Sequence, residues 1–278
     1  MHHAVMIFPT EYALHPAELA VEVESRGFES LWSAEHSHIP ASRETPWPGG
    51  AELPQMYYDA MDPFVWLTAA ASATTTLKVS TGICLVVQRD PIQTAKQVAS
   101  LDRLSNGRFL FGVGAGWNIE EMNNHGTSGE GRFKLMRERI EAMKAIWTQD
   151  EASYDGENVS FDRIIANPKP VQKPHPPIHV GGAFPGGLRR AVRYGDGWIP
   201  LMGRGDDDIV KHMRAFREAA TEAGRDPDDM EVSVFAVPPD ADTVRRYADA
   251  GISRVVFGLP PAGREQLLPF LDVLAGLA

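Results

Sequence analysis

Apolar positions recur along the chain in two rhythms, short continuous runs and longer amphipathic stretches. Residues 4–8, 30–34, 77–86 and 109–113 read as strands. Residues 16–26, 63–73, 91–105 and 132–148 read as helices. Helical spacing is clear in the last of these, where Leu135, Met136, Ile140, Met143 and Ile146 fall on one face. The second half continues the alternation. Strands are predicted over 177–180, 198–201, 231–237 and 254–258, and helices over 186–194, 207–223, 241–250 and 264–274.

The punctuation agrees. A glycine follows a predicted helix at Gly27, Gly107, Gly195, Gly224 and Gly251, and glycine accepts the left-handed backbone that ends helices. Pro63, Pro91 and Pro185 stand near helix starts, where a missing N–H costs little. Repeated strand–helix units predict a parallel sheet in an α/β fold. Eight such units in 278 residues favour a closed (β/α)8 TIM barrel as one domain over 1–278.

Two connections are unusually long. Residues 35–62 follow the second strand and carry Trp47, Met56, Tyr57 and Tyr58 among prolines. In a barrel this insertion lies at the catalytic end. Residues 149–176 follow the fourth predicted helix and begin at the opposite end. There Tyr154-Asp155-Gly156-Glu157 reads as a hairpin turn.

Composition narrows the function. Hydrophobic residues make up 43% and charged residues 23%, enough for a large core. The net charge of −10 argues against a nucleic-acid partner. Cys84 is the single cysteine, so no internal disulfide forms and a reducing cytoplasm is expected. Neither a targeting segment nor a membrane-spanning helix is expected.

Four motifs sit at predicted strand ends. Gly112-Val113-Gly114-Ala115-Gly116-Trp117 fails the dinucleotide fingerprint, because its sixth position is Trp117. Three glycines and an indole there suggest backbone approach to a ligand, with a tight turn as the plain alternative. Glu35-His36-Ser37-His38 contains a His-x-His pattern, but no supporting ligand set accompanies it, although His179 lies inside a strand. No metal is therefore expected, and His36 is read as a cofactor or substrate contact that donates a hydrogen bond or accepts a proton, with a capped or hydrogen-bonded structural histidine as the alternative. Gly181-Gly182-Ala183-Phe184-Pro185 precedes a helix carrying Arg189, Arg190 and Arg193, which suits a phosphate, with an ordinary βα turn as the alternative. Thr81-Gly82-Ile83-Cys84 reads as a bulge or a close approach, with Cys84 in the core.

Taken together, these stretches resemble the bacterial luciferase-like monooxygenase superfamily. Within it they resemble the branch predicted to use coenzyme F420, an 8-hydroxy-5-deazaflavin. The resemblance covers almost the whole chain and is densest over 81–126, in AKQVASLDRLSNGR followed by GVGAGWN; HVGGAFPGGLRRAVRYGDGWIP matches a second signature. It implies a barrel with the cofactor at the C-terminal strand ends. It implies a bulge at Gly82 and Ile83, often with a cis peptide, behind the cofactor ring. It also implies that Gly181, Gly182 and Ala183 hold the cofactor phosphate, that Glu35 and His36 stand near the ring, and that Ala115 and Gly116 border it.

One departure matters. The family's glucose-6-phosphate dehydrogenases carry a catalytic glutamate where this chain has Trp117, and the nearest acids are Glu120 and Glu121. Sugar-phosphate oxidation is thus not supported. The expected activity is hydride transfer between the deazaflavin and a small organic substrate, with His36 as catalytic residue and Trp117, Trp47 and Tyr57 lining the substrate pocket. The alternatives are an FMN-dependent monooxygenase using O2 and a separate flavin reductase, and a cofactor-binding barrel without turnover. Relatives are often dimers, so a homodimer is expected.

Overall fold

A computed structural model describes residues 1–200 and 209–277. Along the chain, strand β1 (His2–Ile7) leads to helix α1 (Pro16–Ser25), β2 (Ser30–Ser33), α2 (Pro63–Ser72), β3 (Lys78–Thr81) and β4 (Cys84–Leu85). Then come α3 (Pro91–Leu104), β5 (Phe109–Gly114), α4 (Ile119–Asn124), α5 (Arg132–Thr148), β6 (Ala152–Asp155) and β7 (Ser160–Ile164). The remainder is β8 (Ile178–Gly181), α6 (Gly186–Tyr194), β9 (Gly197–Ile199), α7 (Ile209–Glu222), β10 (Glu231–Phe235), α8 (Ala241–Asp249), β11 (Arg254–Gly258) and α9 (Arg264–Ala275).

Eight parallel strands close a ring in the order β3, β2, β1, β11, β10, β9, β8, β5, with β5 returning to β3. This is the predicted TIM barrel. All C-terminal strand ends therefore open on one mouth. Trp32, Leu110, Ile199, Phe235 and Val256 fill the barrel interior, while a larger apolar layer joins the strands to the helices. At the foot, the fully buried Arg254 donates to Glu29, Glu231 and Ser233. His179, also fully buried, has its Nε2 3.4 Å from the Glu231 carboxylate. Burial and the Arg254 charge pull the His179 pKa down to about 4.

Several expectations hold in detail. Pro63 and Pro91 open α2 and α3, behind Asp62 and Asp90 as side-chain N-caps. The antiparallel pair β6 and β7 turns where Gly156 N donates to Val159 O. Cys84 is buried in the core, which pushes its thiol pKa up.

Others change. The predicted third strand, 77–86, breaks into β3 and β4 around a cis Gly82–Ile83 peptide. Gly195 is extended (φ −103) rather than left-handed, and its missing side chain makes room for Val180, whose Cγ2 a Cβ would meet at 2.7 Å. The short helix α4 was not predicted. Leu201, Asp207 and Asp208, at predicted element ends, lie outside the described residues. No described helix is long and apolar enough to cross a membrane.

Candidate active site

Just past β2 the chain delivers Glu35 and His36 to the mouth, both buried. Glu35 spends its carboxylate inside the protein. Its Oε2 accepts from Leu85 N at 2.6 Å and its Oε1 from Arg89 Nε at 2.6 Å. Arg89 also donates to Asp62 Oδ2 (2.7 Å) and Gln97 Oε1 (3.2 Å). Glu35 and Asp62 are the first and last residues of the long connection, so a single guanidinium closes its base.

His36 is held differently. Its Nδ1 lies 2.8 Å from Oε2 of Glu121, which has no exposed surface. The other carboxylate oxygen accepts from Ser37 N at 3.2 Å. A carboxylate only accepts, so Nδ1 carries the hydrogen of this contact and Nε2 is the nitrogen left open. Among the described residues the His36 ring makes its hydrogen bond through Nδ1 and none through Nε2. Helix α4 presents Glu121 because Asn118 caps it, its Oδ1 accepting from Glu121 N at 3.1 Å. The Asn-x-x-Glu spacing is a helix-start signal that could have located α4. Nothing local could have paired its Glu121 with a histidine 85 positions away.

Aromatic rings surround His36. Tyr57 lies 5.3 Å from it, Trp117 5.9 Å, centre to centre. Tyr57 in turn contacts Phe8 (4.4 Å) and Trp47 (5.6 Å). The three residues expected to line a substrate pocket, Trp117, Trp47 and Tyr57, thus gather with His36 from two stretches of chain, the long connection after β2 and the turn after β5. Tyr58 is exposed instead. Thr45 secures the connection on α4, donating to Glu120 Oε1 (2.8 Å) and accepting from Ile119 N (3.3 Å). Burial opposes ionisation of Glu120, but the Thr45 hydroxyl, backbone amides and the Arg43 charge hold it below the usual carboxylate range. Next to this wall, Ser37 Oγ bridges His38 Nδ1 (2.9 Å) and His125 Nε2 (2.7 Å). No group of described residues forms a metal-ligand cluster.

The glycine run divides by role. A Cβ at Gly112 would stand 2.0 Å from Thr81 O, and one at Gly114 would stand 1.9 Å from the Ile83 side chain. Those two glycines admit protein atoms, not a ligand. Ala115 and Gly116 come next; Gly116 turns the chain at φ +69, against Leu85, Gln88 and Met122. Gly82 packs on Phe235 and Trp32, and the Ile83 side chain reaches toward Gly114 and Gly181.

Across the mouth, the end of β8 forms a cradle. Gly182 has φ +146; its N donates to Ile199 O (3.1 Å) and its O accepts from Trp198 Nε1 (2.7 Å). Gly187, in the first turn of α6, lies so close that a Cβ would stand 2.0 Å from Gly182 O. Gly181 and Gly182 are partly buried, and Ala183 is exposed at the rim. Arg190 lays its guanidinium against Gly182 and Gly186, where Cβ atoms would meet its nitrogens at 2.7 and 3.1 Å. Its Cζ sits 4.0 Å above the Phe133 ring, and Arg132 Cζ lies 4.7 Å from the same ring. The Nε atoms of both arginines are buried without an acceptor, and neither forms an ion pair among the described residues. Burial and the neighbouring Arg132 charge lower the Arg190 pKa. Two unpaired guanidiniums beside a glycine cradle fit a phosphate group. Arg132 escaped the sequence reading because it stands on a different helix from the glycines.

Comparison with known proteins places this geometry in context. Residues 8–267 match the family model of luciferase-like monooxygenases. An uncharacterised protein of Mycobacterium tuberculosis (strain H37Rv) is 39% identical over 99% of this chain and 98% of its own length. The F420-dependent hydroxymycolic acid dehydrogenase of the same strain is 30% identical over 83% of this chain and 61% of its own length. An FMNH2-dependent dimethylsulfone monooxygenase of Pseudomonas putida is 32% identical over 66% of this chain and 51% of its own length. The crystal structure of a monooxygenase of Streptomyces bottropensis superposes with a TM-score of 0.78 at 20% identity, covering 99% of this chain and 98% of that one.

Proposed function

The chain belongs to the luciferase-like monooxygenase family, and from that premise we propose that it is a coenzyme F420-dependent oxidoreductase acting on a small organic substrate. The observation that carries this reading is the His36–Glu121 pair. Its hydrogen bond leaves Nε2 unpartnered beside Trp117 and Tyr57. Hydride transfer to or from a carbon bearing oxygen requires a proton to move to or from that oxygen. A histidine with one nitrogen fixed and the other open suits that task. The dehydrogenase relative, which is F420-dependent, supports the choice of cofactor.

The deazaflavin supplies a two-electron hydride carrier when bound. Gly181, Gly182 and Ala183, with Arg190, are the residues to hold its phosphate. Gly82, Ile83, Ala115 and Gly116 are those to border its ring. Trp117, Tyr57 and Trp47 exclude water from the reacting carbon. Glu35 acts one step back, fixing the backbone at Leu85 through its 2.6 Å hydrogen bond. A homodimer is part of the same proposal; Val65, on the outer face of α2, is 73% exposed.

Fluorescence titration with coenzyme F420 and FMN side by side tests the reading. Selective F420 binding, followed by anaerobic turnover, is the expected result. Selective FMN binding with oxygen consumption would replace it by flavin-dependent monooxygenation, as the dimethylsulfone relative performs.

A further inference from the structure

Helices α5 and α6 pack beside each other, and the seam between them holds more hydrogen-bond donors than the protein satisfies. At its upper level Arg132 and Arg190 flank the Phe133 ring beside the Gly182 cradle. Each has a buried Nε without an acceptor among the described residues. Four residues advance a helix by about 6 Å. That step leads from Arg190 to Tyr194 on α6 and from Phe133 to Arg137 on α5.

The lower level repeats the deficit. Tyr194 is only 6% exposed, and its hydroxyl is buried with no hydrogen-bond partner among the described residues. Arg137 Nε is buried too, 3.6 Å from Glu141 Oε1, too far for a hydrogen bond. The other Glu141 oxygen accepts from Tyr154 OH at 2.9 Å. The charges that bear on Tyr194 are those of Arg190, Arg137, Arg193 and Glu141. Burial outweighs the arginines and pushes the phenol up, so Tyr194 keeps its proton and stays a donor.

Four buried donors thus gather in one seam, where Arg132, Arg137, Arg190 and Arg193 are set against Glu141, in a chain whose net charge is −10. Buried donors are ordinarily paired. A phosphate in the cradle satisfies only the upper level. We propose that the seam is a second anion subsite, continuous with the cradle, which seats a further phosphate or carboxylate of a polyanionic ligand at Tyr194 and Arg137. The guanidiniums supply the charge, and the Tyr194 hydroxyl adds a directed hydrogen bond. The two anionic groups of that ligand stand about 6 Å apart, one turn of helix. The inference shares the cradle with the proposed function but uses none of its hydride chemistry. The second anion has two sources, an acidic group of the cofactor beyond its phosphate or a separate polyanion from solution.

Isothermal titration calorimetry with inorganic phosphate and with tripolyphosphate, whose end groups reach both levels, tests the subsite. Tripolyphosphate is expected to bind the parent protein tighter than phosphate by about tenfold or more. Tyr194→Phe changes no charge and is expected to weaken tripolyphosphate about tenfold while leaving phosphate unaltered. Arg137→Gln, at a partly exposed side chain, gives the same pattern and replaces it should circular dichroism show Tyr194→Phe unfolded. Equal affinity of the parent for the two anions, or unchanged tripolyphosphate binding by the folded variants, would overturn the inference. Titrations of Tyr194→Phe with F420 and FMN separate the sources. A raised Kd for F420 alone assigns the subsite to the cofactor; an unchanged one beside weakened tripolyphosphate assigns it to a separate polyanion. If the parent binds no F420, the proposed function falls, and the tripolyphosphate comparison still decides the subsite.

Discussion

Nδ1 of His36 and Oε2 of Glu121 lie 2.8 Å apart, with the carboxylate fully enclosed, and this contact leaves Nε2 as the open imidazole nitrogen at the mouth. Glu121→Gln keeps the shape but removes the charge that stabilises the imidazolium. Turnover is expected to fall by about 10²–10⁴-fold, in the range found when a histidine loses its orienting carboxylate or its own acid–base role. His36→Ala should fall as far, and the double variant little further, because the two act as one unit. Single-turnover kinetics alongside cofactor titration check this. Weakened cofactor binding with unchanged hydride transfer would remove the pair from the chemistry.

Arg89 carries a structural load rather than a catalytic one. Arg89→Ala leaves the buried Glu35 carboxylate without its cation, which costs about 3–5 kcal/mol for a broken buried pair. Urea denaturation should show that loss. Pairing the change with Glu35→Gln should recover part of it, since the remaining uncompensated charge is then gone.

The β8 cradle is equally specific. Alanine normally favours a helix over glycine by ~1 kcal/mol. At Gly187 the added methyl meets Gly182 O at 2.0 Å, so Gly187→Ala must push the cradle open. The cofactor Kd is expected to rise about tenfold or more, which corresponds to ~1.4 kcal/mol. Gly263→Ala, where a Cβ meets nothing within 4 Å, is the matched control and should bind as the parent does.

Acid should destabilise the barrel through His179. Its native pKa of about 4 lies below the ordinary 6.5 of an unfolded histidine. Between those values the unfolded chain binds a proton that the native chain refuses, so stability is complete above pH 6.5 and declines as pH falls toward 4. The full loss from this group is about 3 kcal/mol. Denaturation curves at several pH values measure it, and His179→Gln should flatten the slope across that window. An unchanged slope would mean that other histidines dominate.

Most of the barrel was legible because each strand–helix unit writes its own periodicity and its own stop. The site was legible only where its residues are adjacent in sequence. His36 and the Gly181–Gly182 pair announce themselves; Glu121 and Arg132 do not, since their partners arrive from other units. The run from Gly112 to Gly116 shows a subtler limit. A glycine that admits a ligand and one that admits a neighbouring carbonyl lack the same Cβ, and only the fold shows that Thr81 O and the Ile83 side chain occupy the space beside Gly112 and Gly114. Trp117 shows the converse. It stands where the resemblance leads one to expect a glutamate, yet a carboxylate lies four residues on, at Glu121, and hydrogen-bonds His36 from α4.

The double grip of Arg89 on Glu35 and Asp62 has an evolutionary meaning. Asp62 also caps α2 through its other oxygen, so the barrel ends and resumes at fixed points whatever lies between. Lengthening a loop whose ends are already joined costs little; doubling it adds only ~0.6 kcal/mol of closure entropy. The segment bearing Trp47 and Tyr57 is in effect an interchangeable cassette. On the proposed function, insertions and exchanges there would change what the enzyme accepts while the scaffold beneath keeps its register, and laboratory evolution of new substrates should begin between those two carboxylates.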